Sequence, residues 1–277
     1  MKYLKVTALV ENTTVSTDYR CKHGLCLNIK TSNHNILFDL GEDDLFIENA
    51  KKLNIDIKDI DIVIISHGHR DHGGGLSVFL EENKKAKIYI NRNAFMPHYV
   101  SIFGIFKGFI GLDISNKFND RIIFVDNNLK IDDELYLFSN VSRRELVAKA
   151  NNSLLMKVDN KYIKDNFKHE QNLIITEKDR HTLIAGCAHN GIVNILDKGE
   201  EIVGQNLNTV IGGFHLFNPA MKKYESKELI KAIGDILAIK DTEFYTCHCT
   251  GIKAFNILRD ELGEQIKYLS TGKVIDI

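Results

Sequence analysis

The chain has 277 residues, of which 44% are hydrophobic and only 2 are proline, and this composition excludes a disordered chain and allows a sizeable core. Its 36 Lys and Arg residues nearly balance 37 Asp and Glu residues, so the formal charge is only -1. That charge gives no global field that would favour nucleic acid or an anionic membrane, and we expect neither as a partner.

The apolar stretch at the start of the chain is short, contains a charge and has no small-residue cleavage site. No run of about 18 uncharged apolar residues follows anywhere, so we expect a soluble, cytoplasmic protein. The 5 cysteines are an odd number, and Cys247 and Cys249 flank His248. This arrangement favours a reducing compartment over a disulfide framework.

The predicted elements alternate along the chain without a repeat or a linker, which indicates a single domain over residues 1–277. In the first half the patterns predict strands at 4–11, 25–30, 35–40, 60–66 and 86–90, and helices at 44–54 and 76–84. Residues 95–118 are rich in Phe, Ile and Gly and predict an apolar cap or a homodimer-contact insertion. In the second half the patterns predict strands near 173–177, 182–187, 208–213 and 243–247, and helices at 190–198, 226–239 and 251–262.

The strongest pattern is the hexapeptide H-G-H-R-D-H (67–72), directly after the predicted buried strand 60–66. Side chains at i and i+2 of an extended segment share a face, so His67 and His69 can hold one ion while Asp71 and His72 turn toward a second. These ligands suit Zn, and also Fe, Mn or Ni. We therefore expect two divalent metal ions, with Zn as the first choice.

Glycines and strand ends support this interpretation. Gly68 lets the backbone turn between ligands, and Gly73, Gly74 and Gly75 are expected to permit unusual dihedral angles and close approach before a helix begins. The predicted strands 173–177, 182–187, 208–213 and 243–247 each end close to a His or Cys. Four strand ends therefore carry side chains that can bind metal.

The segment S-H-G-H-R-D-H-G-G-G-L (66–76) resembles the H-x-H-x-D-H signature of the metallo-β-lactamase superfamily. Over essentially the whole chain, further motifs are similar to the subfamily labelled 7,8-dihydropterin-6-methyl-4-(β-D-ribofuranosyl)-aminobenzene-5'-phosphate synthase-like. They are V-E-N-T-T (10–14), K-H-G-L-C-L-N-I (22–29), I-L-F-D-L-G (36–41), G-C-A-H-N-G-I-V-N-I (186–195), G-G-F-H-L (212–216) and C-H-C-T-G (247–251). The resemblance implies an α/β fold, the αββα sandwich of two mixed β-sheets packed face to face with helices outside.

The resemblance also implies the metal ligands. His67, His69 and a later histidine hold the first metal, and Asp71, His72 and the histidine of the last motif hold the second. We carry the two later positions over as His189 and His248. Each of these histidines follows a predicted strand, which is where a strand-end site needs it.

One departure from the superfamily pattern concerns the Asp that commonly bridges the two metals, because Gly186 and Cys187 occupy its place. Cys187 could donate a thiolate, His215 could reach the site, or hydroxide could bridge. His169 competes with His189 for the first metal. It does not belong to an H-E-x-x-H motif, and a surface or supporting role is favoured for it.

Three further positions each have two interpretations. Asp39 either accepts the second N–H of a ligand histidine or forms a plain turn. Thr250 and Gly251 open a predicted helix and either bind a substrate phosphate or carboxylate or form an ordinary N-cap. Cys247 and Cys249 would point opposite ways on a continued strand, and packing is favoured over metal chelation.

The remaining histidines lack this convergence of context. His23 belongs to a family-like segment and is placed near the cleft. We expect His34, His98 and His181 at the surface.

The expected chemistry is hydrolysis by a metal-bound hydroxide, because two divalent ions lower the pKa of bound water toward ~7. Asp71 is the expected catalytic residue, since it would both bind metal and orient the hydroxide. The expected substrate is a small anionic metabolite. The phosphate in the family label and the anion site at Thr250 and Gly251 favour a phosphorylated one.

Two alternatives remain open. The same binuclear site could serve a pterin-linked synthase or transferase, in which the metals activate a leaving pyrophosphate. The chain could instead be an iron-containing redox or metal-sensing protein that responds through Cys187, Cys247 or Cys249. The spectrum of the purified protein would separate the sensor from the enzymes.

Overall fold

The computed structural model describes residues 4–277. In chain order the strands are β1 (Lys5–Val10), β2 (Cys26–Lys30), β3 (Asn35–Phe38), β4 (Ile62–Ile65), β5 (Lys87–Asn91), β6 (His98–Ile102), β7 (Phe106–Phe109), β8 (Ile122–Val125), β9 (Leu129–Lys130), β10 (Leu135–Phe138), β11 (Leu154–Val158), β12 (Lys161–Lys164), β13 (Asn172–Glu177), β14 (Arg180–Ile184), β15 (Thr209–Gly212), β16 (Phe217–Asn218), β17 (Lys223–Tyr224), β18 (Glu243–Thr246), β19 (Ile266–Tyr268) and β20 (Val274–Asp276). The α-helices are α1 (Leu45–Lys52), α2 (Arg70–Gly73), α3 (Leu76–Glu82), α4 (Ile192–Val203), α5 (Lys227–Ala238) and α6 (Ile252–Leu262). Every helix in this part of the chain is too short or too polar to cross a membrane.

Two mixed sheets, each of seven strands within residues 4–277, form the centre of the molecule. The first has the strand order β20-β1-β2-β3-β4-β5-β8, and the second has the order β19-β18-β15-β14-β13-β10-β9. In the first sheet β1 and β2 pair antiparallel while β3, β4 and β5 run parallel. In the second, β13 and β14 pair antiparallel while β14, β15 and β18 run parallel.

The two sheets share an apolar interior, in which Ile64 of the first sheet belongs to the same cluster as Ile184 and Ile211 of the second. Burying a side chain of this size contributes about 1.5–3 kcal/mol. Helices α1 and α3 cover the outer face of the first sheet through Phe46 and Phe79, and α4, α5 and α6 cover the second. These layers are the predicted αββα sandwich.

Most predicted elements lie within a few residues of observed ones. The apolar run 60–66 contains β4, which is buried throughout because it has a parallel neighbour on each side and a covered outer face. The strands between residues 119 and 172 were not predicted. They include β11 and β12, which pair with β6 and β7 in a sheet of order β12-β11-β6-β7.

The apolar segment 95–118 supplies β6 and β7 of this smaller sheet. Its tip is largely exposed, because 74% of Phe103, 74% of Ile105 and 83% of Phe118 is accessible to solvent. The cap or dimer-contact role of this segment stays a prediction.

The carboxyl ends of the parallel strands determine where functional side chains gather. The loops after β14, β15 and β18 leave one edge of the second sheet, and the loop after β4 meets them from the first sheet. A Cβ on Gly186, which follows β14, would lie 2.2 Å from the side-chain oxygen of Ser66, which follows β4. The two sheets therefore touch where the ends of β14, β15 and β18 gather, as predicted for three of the four strand ends. The fourth, predicted at 173–177, is wrong, because β13 pairs antiparallel with β14 and ends at the opposite edge.

Close packing in the segment after β4 explains why residues 74 and 75 are glycines. Gly74 has φ -63° and ψ -31°, and Gly75 has φ -70°, so both adopt ordinary helical angles. The prediction of unusual dihedral angles is wrong for these two residues. Close approach is confirmed, because a Cβ on Gly74 would lie 2.3 Å from the carbonyl oxygen of Glu42 and 2.5 Å from that of Arg70.

We expect Gly74→Ala to lower the free energy of unfolding by about 1–3 kcal/mol, because two backbone carbonyls must shift to admit the methyl group. Urea unfolding would measure the change. Gly108→Ala is the matched control, since its Cβ would meet a single atom, Cγ1 of Val100, at 3.5 Å. We expect it to change stability by less than about 0.5 kcal/mol. Equal stability of the two variants would contradict this account of Gly74.

Candidate metal centre

The first donor set consists of His67 and His69, from the loop between β4 and α2, and His189, from the loop after β14. One ligand atom of each lies within 4.8 Å of the others. Their Nε2 atoms are buried and have no hydrogen-bond partner within residues 4–277. Burial, and then the neighbouring imidazoles, hold the pKa of each ring well below its usual value, so the rings are neutral. Three neutral nitrogens that lack partners suit a metal ion.

The second donor set consists of Asp71, His72 and His248. The Nε2 atoms of His72 and His248 lie 3.2 Å apart, and Asp71 Oδ2 lies 3.6 Å from the first and 3.3 Å from the second. Ligand atoms about 2.1 Å from a tetrahedral ion lie about 3.4 Å from one another, so this spacing suits a second ion.

Charge also differs between the two sets. Burial alone would lower the pKa of His72, but the carboxylates of Asp39 and Asp71 outweigh it and raise this pKa to about 9. Burial opposes ionisation of Asp71, yet His72 and His23 hold its pKa well below the usual value. The second set therefore contains a carboxylate that is ionised at neutral pH.

Asp39 supports the second set through the contact expected of it. Its carboxylate accepts hydrogen bonds from His72 Nδ1 at 2.6 Å, and from the backbone N–H and the hydroxyl of Ser66 at 2.7 Å each. The Ser66 hydroxyl in turn accepts from Nδ1 of His67 at 2.8 Å. Asp39 thus fixes the orientation of a ring in each donor set.

Two asparagines clamp the later histidines in the same way. Asn151 Nδ2 donates to the carbonyl of His189 at 2.8 Å, and its Oδ1 accepts from Nδ1 of that ring at 2.9 Å. Asn12 does the same for His248, at 3.2 and 2.9 Å. Because each Nδ1 carries a proton, each Nε2 offers a lone pair to the site.

Two buried glutamates fix the backbone of these histidines. Glu170 Oε1 accepts the N–H of His189, and Glu11 Oε1 accepts that of His248, both at 2.6 Å. These glutamates, Asn12 and Asn151 were not predicted from the sequence as site residues. Glu11 and Asn12 lie in the motif V-E-N-T-T, and that was the available signal.

Cys187 and Cys249 both reach the site. Cys187 Sγ lies 3.1 Å from His72 Nε2, and it forms a possible donor group with His248 and Cys249. Cys247 instead belongs to the apolar core between the sheets. The prediction of packing therefore holds for Cys247, whereas Cys249 lies among metal-capable side chains.

The structure separates His189 from His169 as candidates for the first set. Nδ1 of His169 accepts the N–H of Gly68 at 2.9 Å, and its Nε2 lies 3.3 Å from Asp165. Both ring nitrogens are therefore engaged, while Nε2 of His189 is free to bind a ligand. The surface interpretation of His169 is wrong, because the residue is buried and supports the loop between His67 and His69.

The surface prediction for His98 is also wrong. The residue is fully buried, and its Nδ1 lies 2.8 Å from Asp165. It lies on β6, which packs over the site as part of the smaller sheet, and that pairing could not be seen in the local pattern. His34 and His181 are partly exposed.

A cavity of about 230 Å³ opens onto both donor sets. Its polar wall includes His23, whose Nε2 lies 3.1 Å from Asp71 Oδ2, and His215. Both ring nitrogens of His215 lack a hydrogen-bond partner in the described chain. Apolar side chains of the smaller sheet and its flanks form another wall, namely Val100, Ile110 and Leu154.

Thr250 and Gly251 do not line this cavity. The Thr250 hydroxyl is fully buried and accepts the N–H of Phe214 at 2.9 Å. A Cβ on Gly251 would lie 2.8 Å from the ring of Tyr224, which covers it. The structure therefore does not bring these two residues to the donor sets.

Comparisons with known proteins agree with this fold. The model of the metallo-beta-lactamase superfamily matches residues 20–145. The chain is 29% identical over 290 residues to 7,8-dihydropterin-6-methyl-4-(beta-D-ribofuranosyl)-aminobenzene-5'-phosphate synthase of Methanocaldococcus jannaschii, covering 98% of this chain and 96% of that protein. An uncharacterized protein of the same organism is 28% identical, covering 98% of this chain and all of that protein.

Among solved structures, Tm1679, a metal-dependent hydrolase of the beta-lactamase superfamily, superposes with a TM-score of 0.84. It is 27% identical, and the match covers 99% of both chains. Residues 20–145 match the model of the metallo-β-lactamase superfamily, and over nearly the whole chain the fold is similar to that of a solved hydrolase of the beta-lactamase superfamily.

Proposed function

We propose that the protein is a metal-dependent hydrolase that acts on a small anionic, phosphorylated metabolite. The observation that carries this proposal is the meeting of two donor sets at the floor of one cavity. In the first set, His67, His69 and His189 present Nε2 atoms that have no partner in the described chain. The solved structure of a metal-dependent hydrolase with a similar fold supports the same reaction class.

The donor atoms fit divalent ions such as Zn, since imidazole nitrogen and carboxylate oxygen are its common ligands. His67, His69 and His189 would hold one ion, and Asp71, His72 and His248 the other. Two such ions supply a water that is nucleophilic at neutral pH and polarise the bond under attack.

The chain's own residues position the reactants. Asp71 is ionised, touches His23 and lines the cavity, so it can accept a hydrogen bond from the attacking water and orient it. The apolar wall at Val100 and Leu154 keeps bulk water away from the reacting bond. Arg70 lies at the cavity edge with its Nε 3.2 Å from Glu42 Oε1, and its remaining guanidinium N–H groups can bind a substrate phosphate.

Cavity size limits the substrate. At about 230 Å³ the cavity is smaller than the 300–1,000 Å³ of typical ligand pockets. It suits a small metabolite, or the phosphate end of a larger one.

A pterin-linked synthase or transferase is the second candidate. It is supported by the similarity to the M. jannaschii synthase, whose name specifies a dihydropterin product with a 5'-phosphate. The apolar cavity wall could pack against a heterocycle. Incorporation of oxygen from ¹⁸O-labelled water into the product would identify the hydrolase, and its absence in an active enzyme would identify the synthase.

An iron-containing sensor is a third candidate, because Cys187 and Cys249 lie beside the donor sets. A coloured iron protein that is inert toward esters would favour it. A colourless zinc protein with phosphoesterase activity would exclude it.

We expect the protein purified without added metal to contain about two equivalents of divalent metal. His69→Ala and His248→Ala should each lower that content and reduce phosphate-ester hydrolysis by about 100-fold or more, because each removes a ligand. Elemental analysis and a p-nitrophenyl phosphate assay would measure both effects. His181→Ala, which removes a partly exposed histidine bonded to Thr176, is the matched control. A folded wild type that stays metal-free and inert after reconstitution would contradict the proposal.

We expect Arg70→Ala to raise KM for p-nitrophenyl phosphate about 10-fold with little change in kcat, since the guanidinium binds the anion outside the reacting bond. Arg92→Ala is the control, because Arg92 pairs with Asp126 and does not line the cavity. An equal rise in KM for neutral p-nitrophenyl acetate would show that Arg70 does not recognise the phosphate.

A further inference from the structure

We infer that Cys187 supplies a thiolate that bridges the two metal ions, in the place where the superfamily commonly has an aspartate. The inference rests on the proposed binuclear centre and specifies how it is completed. It concerns the ligand composition of the site, which neither the reaction class nor the comparisons determine.

The position of Cys187 Sγ supports the bridge. Among the possible donor groups, Cys187 is grouped with His67 and His72, with His189 and His215, and with His248 and Cys249, in each case with ligand atoms within 4.8 Å. His67 and His189 belong to the first donor set, whereas His72 and His248 belong to the second. The sulfur therefore lies within reach of ions in both sets.

The distance between Cys187 and His72 is about 0.5 Å shorter than that between two ligands of one ion, so a small shift of either side chain would admit the ion. A thiolate binds zinc at about 2.3 Å and an imidazole at about 2.1 Å, so the two ligand atoms of one tetrahedral ion lie about 3.6 Å apart. The observed separation of Cys187 Sγ and His72 Nε2 is 3.1 Å. A single bridging atom also suits two ions about 3.5–4 Å apart.

The buried carboxylates that could otherwise bridge are engaged elsewhere. Asp39 accepts from Ser66 and His72, and Asp165 lies against His98 and His169. Glu11 and Glu170 accept the backbone N–H groups of the later ligand histidines. These contacts occupy the four carboxylates in supporting roles, and Asp71 lies against His72 and His248 of the second set. The sulfur of Cys187, once deprotonated, is then an anionic donor within reach of both sets.

Binding of the Cys187 sulfur to the ions requires loss of a proton and no oxidant. The S–H bond of Cys187 breaks, its proton passes to solvent, and the sulfur electron pairs bond the two ions. The thiolate carries the same single negative charge as the aspartate that it would replace, so the charge of the filled site is unchanged.

Cobalt substitution tests the inference, because a thiolate bound to Co²⁺ gives a near-ultraviolet charge-transfer band and a carboxylate does not. We expect the wild-type chain, freed of metal with a chelator, to develop this band over both the first and the second equivalent of added Co²⁺. Cys187→Ala should lose the band. Cys187→Asp should also lose it while still binding two equivalents, because the carboxylate can bridge.

Two further variants test whether another cysteine gives the charge-transfer band. Cys26→Ala removes a fully buried thiol from the outer core of the first sheet and should keep the band. Cys249→Ala should keep it as well. A band that persists in Cys187→Ala and disappears in Cys249→Ala would overturn the assignment in favour of Cys249.

The remaining outcomes distinguish this inference from the proposed function. Two equivalents of Co²⁺ bound to the wild type without the band would overturn the thiolate bridge and leave the binuclear centre standing. Growth of the band over one equivalent alone would overturn the bridging position. Failure of the folded wild type, checked by circular dichroism, to bind Co²⁺ would overturn both.

Discussion

Unpaired nitrogen atoms on buried histidines are the constraint on which the rest of the structure depends. His67, His69 and His189 each bury an Nε2 atom that has no partner within residues 4–277. An unsatisfied buried polar atom costs about 1–3 kcal/mol, and a whole domain is stable by only about 5–15 kcal/mol. Three such atoms at one point are therefore a large cost for the fold. Ions that bind the folded chain and not the unfolded one would offset this cost and would link metal occupancy to folding.

The supporting contacts show how the fold directs these nitrogens inward. At His189 and His248 an asparagine holds the ring through Nδ1 while a glutamate holds the backbone N–H. The two loops come from different strand ends, yet they use the same pair of contacts. Positive φ angles at Asp39 (61°), Ala188 (55°) and His248 (50°) also place strained backbone around the site, at a cost of order 1–3 kcal/mol each. Such strain persists because the surrounding hydrogen bonds determine the geometry.

The features that could be predicted from the sequence are those that depend on the pattern of neighbouring residues. The strand β4, the cluster of histidines that follows it and the strand ends that carry His189 and His248 could be predicted, because hydrophobic periodicity and residue spacing are local. Contacts between segments that are distant in the sequence could not be predicted in this way. His98 is buried because β6 pairs with β11, more than 50 residues later, and Asn12 meets His248 across 236 residues. Gly74 illustrates the same limit, since its small size is required by the carbonyl of Glu42 and not by its own dihedral angles.

Charge connects the ligand set to the class of substrate. Two bound divalent ions would bring four positive charges, neutral histidines would add none, and the Asp71 carboxylate would subtract one. The proposed thiolate at Cys187 would subtract one more, so the filled centre would carry two positive charges at the floor of a cavity whose other wall is apolar. In such a setting the bound ions are the largest local charges, and a low-dielectric wall weakens their screening by water. An anionic group is then attracted to the floor of the cavity, while the apolar wall favours a non-polar remainder. The proposed metal centre would therefore attract the anionic group of the proposed phosphorylated substrate before any side chain contacts it.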